Sequence, residues 1–276
     1  MKKKWLALLL AAALCLGLLA ACGSESSAGG SDSGTNSESS GSNSQSESQS
    51  GSSSGSSSSS SQQTGSSGSA AGNEVDAFFQ NSVFIGDSVM MGFRNYIAKK
   101  ESGFLGGPNF LVSGSYGAAN AVAPVSDTSI HPIYEGQQRQ VQDSIALMGA
   151  KKVFICFGIN DIALYGVDGT VKNFGTLFER IRAKSPDVQL YILSATPMVS
   201  GSEQKNLNNA NLRKLNEALK TFAAENNAEF IDIYSAVADT DGCLKAEYCS
   251  DGFIHQTPAA YDQWVNTLRA FAATKM

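Results

Sequence analysis

Few side chains in this sequence could carry out covalent chemistry, and those few fall in short polar breaks between apolar runs. The stretch "VFIGDSVMMGF", residues 83–93, passes from Val83, Phe84 and Ile85 straight into Gly86, Asp87 and Ser88. An apolar helical pattern then follows. A hydroxyl at such a junction has two readings: it can cap the next helix, or it can be a nucleophile held at a strand end. To attack a carbonyl, a hydroxyl needs a base to take its proton, an acidic group to orient that base, and donors to hold the oxyanion. The sequence contains two histidines. His255 lies in "SDGFIHQTP", 250–258, close after Asp251. His131 lies in "TSIHPIYEG", 128–136, with no acid in a comparable layout.

Elements that could position these groups alternate along the chain. Short apolar runs at 83–85, 109–112, 151–157, 188–197 and 228–234 read as strands. Between them, apolar residues recur at helical spacing: Val89, Phe93, Tyr96; Val141, Ile145, Met148; Val171, Phe174, Phe178, Ile181; Leu212, Leu215, Leu219, Phe222. Thr257-Pro258 offers a helix start for the stripe Tyr261, Trp264, Leu268, Phe271. Alternation of this kind predicts a three-layer α/β/α sandwich around a five-stranded parallel sheet, flavodoxin-like in type. Sites in such sheets gather at the carboxyl ends of the strands. Gly86-Asp87-Ser88, "SGSYGAAN" (113–120), Gly158-Ile159-Asn160-Asp161 and the loop at 250–258 all fall on that edge.

Taken in order, "FIGDSVMMGF", a glycine after the second strand, "GIND" and a C-terminal Asp-Gly…His resemble the four blocks of the SGNH (GDSL) hydrolases, over essentially all of residues 80–275. The resemblance implies an esterase without metal or cofactor. Ser88 matches the nucleophile, His255 the general base and Asp251 the group that orients it. The oxyanion donors would be the backbone N–H of Ser88, that of Gly117, with Gly114 as a competing assignment, and the side chain of Asn160. One departure stands out. The family spacing is Asp-x-x-His, whereas Asp251-Gly-Phe-Ile-His255 carries one residue more. The loop must bulge if Asp251 is to reach the imidazole; otherwise His255 works with a backbone carbonyl or in a dyad. Asp87 and Asp161 read as local hydrogen-bonding and capping groups.

The loop at 131–137 has two readings, a wall of the substrate cleft presenting His131 and Tyr134 or a surface excursion. Cys156 reads as a core residue, and Cys243 and Cys249 as a disulfide pair upstream of Asp251.

The 276-residue chain divides into three parts. Residues 1–21 have three lysines and then an apolar run, the layout of a secretory signal. Leu19-Ala20-Ala21-Cys22 resembles the bacterial lipobox, which implies cleavage before Cys22 and its lipidation. Residues 22–72 hold this cysteine and a Ser/Gly-rich tract too polar to form a core. A flexible tract of this length has an r.m.s. span of about 40 Å. Residues 73–276 are expected to form the folded domain, with apolar content, 42% over the whole chain, enough for one core. A net charge of −5 and a pI near 5.1 exclude nucleic acid as an expected partner. The expected protein is a lipid-anchored extracytoplasmic esterase acting on acylated small molecules or glycans. The alternatives are acyl transfer to an envelope glycan by the same residues, and a non-catalytic glycan-binding lipoprotein.

Overall fold

A computed structural model describes residues 74–276. The signal, Cys22 and the Ser/Gly-rich tract lie outside the described residues. A helical turn over 74–77 leads into β1 (Ser82–Gly86), α1 (Ser88–Ile97), β2 (Asn109–Val112) and the short α2 (Ala118–Val122). A small hairpin follows, β3 (Ile133–Tyr134) and β4 (Gln137–Gln138). Then come α3 (Val141–Met148), β5 (Lys152–Cys156), α4 (Ile159–Lys184), β6 (Gln189–Leu193), α5 (Asn209–Glu225), β7 (Glu229–Ile231), α6 (Tyr234–Val237) and α7 (Pro258–Ala273).

The five main strands are all parallel, in the order β2-β1-β5-β6-β7. Strand order therefore reverses between β1 and β5, and a parallel doubly wound sheet places its ligand crevice at that point. The register aligns Phe110, Phe84, Phe154 and Tyr191 across four strands. Their rings stack at 5.7, 4.5 and 4.5 Å between successive centroids. Side chains of a strand alternate between faces, so this ladder occupies one face only. α1 and α7 cover it through Phe93, Trp264 and Phe271. α2 to α5 pack together over the other face. Truncating a ring such as Phe84, which is fully buried, costs about 3–5 kcal/mol in a core of this kind.

Two expected strands end early. β6 stops at Leu193, and the extended segment after it is held by side chains of α5 instead of a neighbouring strand. Asn216 pairs both its amide atoms with the backbone of Ala195, at 2.9 Å each. Asn209 does the same for Met198, at 2.8 and 3.0 Å. The last expected strand shrinks to Glu229–Ile231, because Tyr234 starts α6.

The chain enters β1 at the end opposite the crevice. There Asp76, almost fully buried, takes two hydrogen bonds of 2.7 Å from Arg269 of α7 and one of 3.0 Å from the Leu105 amide. This bidentate pair fastens the first turn to the last helix.

Candidate active site

β1 runs into α1 with a single residue between them. Gly86 has to be glycine, since a Cβ there would stand 2.4 Å from the Cβ of Met90. Asp87 is the N-cap and accepts the Val89 amide at 2.9 Å. The capping reading of the hydroxyl therefore goes to the residue before it, and Ser88 is the first helical residue. Its Oγ is 2.9 Å from His255 Nε2. The positive end of the α1 dipole favours negative charge at this spot.

His255 Nδ1 is 2.5 Å from Asp251 Oδ2. The extra residue between them is absorbed in a tight turn. Gly252 takes a left-handed conformation at φ 73°. The amides of Phe253, Ile254 and His255 then all donate to Asp251 Oδ1, at 2.8, 3.0 and 3.1 Å. Burial pushes the Asp251 carboxyl up. The bonds from His255, the Phe253 amide and the Cys249 thiol outweigh this and hold it at about 2. The loop is anchored outside the turn by Val199 N–H to Phe253 O at 3.0 Å and Thr257 N–H to Tyr248 O at 2.9 Å.

The expected Cys243–Cys249 disulfide is not made; both are free thiols. The two sulfurs face different partners, Cys249 donating to Asp251 Oδ1 at 3.3 Å and Cys243 accepting from Asn209 Nδ2 at 3.4 Å. A 3₁₀ turn, Ala246–Tyr248, lies between them.

Across the crevice, Gly158 at φ 140° swings the chain from β5 into α4. Asn160 is thus on the first turn of a helix. Its Nδ2 donates to Asp87 Oδ2 at 3.1 Å and to the Tyr116 carbonyl at 3.2 Å. Asp161 reaches over to cap α2, accepting the amides of Ala118 and Ala119 at 3.0 Å each. That contact explains Gly117, where a Cβ would lie 2.5 Å from Asp161 Oδ2. The Gly117 amide is not free, because it donates to Asn120 Oδ1 at 3.0 Å. Asn120 was not expected at the site; its only sequence signal is an amide side chain three residues into a short helix. Gly114, the competing donor, is exposed with open space where a Cβ would go.

Burial raises the Asp87 carboxyl to about 6, against the pull of the Val89 and Met90 amides and His255. Burial also raises Asp161, opposed by the amides of Ala119 and Ala118. Both carboxylates hold backbone and side chains around Ser88 and Gly117, as local bracing groups.

The structure corrects the expectation for His131, which is 3% exposed. Its Nδ1 faces the Tyr116 hydroxyl at 2.9 Å and its Nε2 the Ala123 carbonyl at 2.9 Å. With both ring nitrogens used inside the protein, His131 pins the 123–140 excursion to the loop before Gly117 and cannot touch substrate. Tyr134 is half-buried in the small hairpin, and its carbonyl accepts from Arg139. Among the described residues, no three His, Cys, Asp or Glu side chains gather as a metal site.

The sequence model of the GDSL-like lipase/acylhydrolase family matches residues 84–263. A search of curated proteins returns no match. Among solved structures, a Bacteroides fragilis protein classed as an acylhydrolase is 20% identical, covering 70% of this chain and 86% of its own, with a TM-score of 0.54. A GDSL-like lipase from Bacteroides thetaiotaomicron is 16% identical, with coverage of 72% and 90% and a TM-score of 0.52. A carbohydrate esterase family 3 structure from Talaromyces cellulolyticus is 12% identical, with coverage of 70% and 97% and a TM-score of 0.50. At these identities the likenesses speak for the fold. With the family match running from β1 into α7, across every strand of the sheet, the chain belongs to the GDSL-like lipase/acylhydrolase (SGNH) family and is a hydrolase acting on esters.

Proposed function

We propose that the chain is a serine esterase working through an acyl-Ser88 intermediate. One observation carries this reading: the unbroken relay from Ser88 Oγ through the imidazole of His255 to the Asp251 carboxylate, at 2.9 and 2.5 Å. In acylation, His255 Nε2 takes the Ser88 proton as Oγ bonds to the ester carbonyl carbon. The tetrahedral oxyanion collapses, the C–O bond to the alcohol breaks, and His255 returns the proton to the leaving oxygen. A water molecule then attacks the acyl-serine by the same route, restoring Ser88 and releasing the acid. Asp251 stays ionised throughout and stabilises the imidazolium. The oxyanion is received by the Ser88 amide, the Gly117 amide and Asn160 Nδ2. The latter two exchange their resting acceptors, Asn120 Oδ1 and the Tyr116 carbonyl, for the developing charge.

The substrate is a short-chain O-acyl ester, with acylated glycans of the cell envelope as the leading class. The reading draws on the open setting of His255, whose side chain is 43% exposed, and so on room for a bulky alcohol. It draws also on the signal and lipobox-like sequence at 1–22 and the polar tract behind it. These belong to a lipid-anchored enzyme on the outer face of a bacterial membrane. The likeness to the Talaromyces carbohydrate esterase makes acylated carbohydrates the first substrates to try. The decisive experiment compares the wild type with Ser88→Ala on p-nitrophenyl acetate and acetylated glycans. Loss of the nucleophile lowers kcat by more than about 10⁴-fold, with the melting temperature held, because Asp87 and not Ser88 caps α1. Comparable turnover in the two proteins refutes the mechanism. Radiolabelled lipid incorporation that survives Cys22→Ala refutes the anchor.

A further inference from the structure

After a first turn that buries Ile159 and Ile162, α4 carries an apolar segment that does not enter the core. Ala163, Leu164, Tyr165 and Gly166 are all exposed, Leu164 by 77% and Tyr165 by 50%. A run of exposed apolar residues is costly on a surface that has no task for it. The remainder of α4 buries Thr170, Phe174, Phe178 and Ile181 in the ordinary way. Gly166, at φ 64° and ψ −171°, separates the two parts; this backbone conformation is restricted to glycine and turns the helix after about two turns. Tyr165 rests on Gly169, where a Cβ would come within 2.9 Å of the Tyr165 Cβ. Leu164 follows Asn160 by one helical turn, so the two share a face with Cβ atoms about 5–6 Å apart. Helical side chains lean toward the N-terminus, which aims Leu164 over the turn that carries Asn160.

We propose that Leu164 and Tyr165 form the acyl-chain wall of the site and make the enzyme prefer acyl groups longer than acetyl. This deepens the acyl-serine reading and rests on it. The bonds of the reacting carbon fix the directions. One goes to Ser88 Oγ. The leaving oxygen has to face His255 Nε2 to be protonated, and the oxyanion faces Asn160 Nδ2. The acyl carbon takes the remaining direction, away from Ser88 Oγ and His255, and on this proposal it lies toward the turn that carries Asn160. A chain of a few carbons leaving there runs over the turn above Asn160, against Leu164 and then Tyr165. Both side chains lie on the surface, so their substitution leaves the core untouched.

The test measures kcat/KM of the full-length chain on p-nitrophenyl acetate, butyrate, hexanoate and octanoate. The variants are Leu164→Ser, Tyr165→Ser and, on α3 as a control, the exposed Leu147→Ser. A methylene half-covered by the wall raises kcat/KM by about twofold, so the wild type climbs from acetate to hexanoate. Leu164→Ser flattens the climb, Tyr165→Ser flattens its longer-chain part, and Leu147→Ser keeps the wild-type slope. A wild-type profile that falls from acetate onward, or a climb that both the Leu164 and Tyr165 variants retain, overturns the wall while leaving the esterase reading standing. No turnover of any ester by the wild type overturns the esterase reading and the wall together.

Discussion

Gly117→Ala tests the crevice at its tightest point. The backbone there is extended, at φ −147° and ψ 177°, so alanine meets no conformational barrier. The obstacle is packing. The new Cβ would stand 2.5 Å from Asp161 Oδ2 and 2.8 Å from both Cγ and Oδ1. Ordinary contact begins near 3.4 Å, leaving the carboxylate about 0.9 Å too close. Asp161 is 1% exposed and caps α2 through two amides, so it cannot retreat without weakening both bonds. Hydrogen bonds to a charged group contribute about 1.5–3 kcal/mol each, and stretching the two costs about 2–4 kcal/mol. For a domain of this size that lowers the melting temperature by about 4–16 °C. The same displacement moves the Gly117 amide, and a misplacement near 1 Å lowers rate by about 10²-fold. Gly114→Ala is the internal control, since its Cβ meets nothing within 4 Å. Calorimetry and ester hydrolysis on both variants decide. A Gly117→Ala protein that melts within 2 °C of the wild type and turns over within threefold of it would refute the packing argument. A large rate loss in Gly114→Ala without loss of stability would move the oxyanion donor to that residue.

Asn160→Ala lowers kcat by about 10²–10³-fold, the cost of one oxyanion donor; a change confined to KM would place Asn160 in ground-state binding instead. Asp87 makes stability depend on pH. Its folded value, about 6, lies above the ordinary 3.8, so between these values the folded state keeps a proton that the unfolded chain has released. Its contribution therefore falls as pH rises from about 4 to 6, by about 3 kcal/mol in total. Denaturant titrations of the wild type and Asp87→Asn at pH 4, 5, 6 and 7 should differ by this slope; parallel curves would contradict it. Thiol titration of the unreduced, denatured domain should count three reactive groups, from Cys156, Cys243 and Cys249, and reductant should leave activity unchanged. A count of one would reinstate the disulfide.

Much of the sheet was legible because a parallel strand buried on both faces is a continuous apolar run, and Val83–Ile85 and Val153–Cys156 are unambiguous examples. Strand-end reasoning also brings Ser88 and Asn160 to one edge, because a βα turn has only a few residues in which to place them; His255 comes there through the long loop between α6 and α7. Contacts between turns were not legible. The Asp161 carboxylate on α2 and the Asn120 oxygen on the Gly117 amide join residues whose local sequences do not advertise each other. His131 misled because its partners, a tyrosine hydroxyl and a backbone carbonyl, leave no charge pattern. The cysteine pair misled for a related reason: proximity in sequence says nothing about which way a thiol turns. The inserted residue before His255 proved harmless once Gly252 opened a left-handed turn and three amides converged on Asp251.

The clamp between Asp76 and Arg269 has a mechanical consequence. A pull on the chain upstream of residue 74 meets that ion pair first and then runs along β1, which is flanked by β2 on one side and β5 on the other. Force applied along a strand bonded on both edges loads its hydrogen bonds side by side, in shear, whereas peeling an edge strand would break them one at a time. The load enters at the end of the sheet remote from Ser88, and the turn bearing Asp251 and His255 lies off its path. Tension arriving from the N-terminal side of the domain is thereby kept from drawing the catalytic geometry apart.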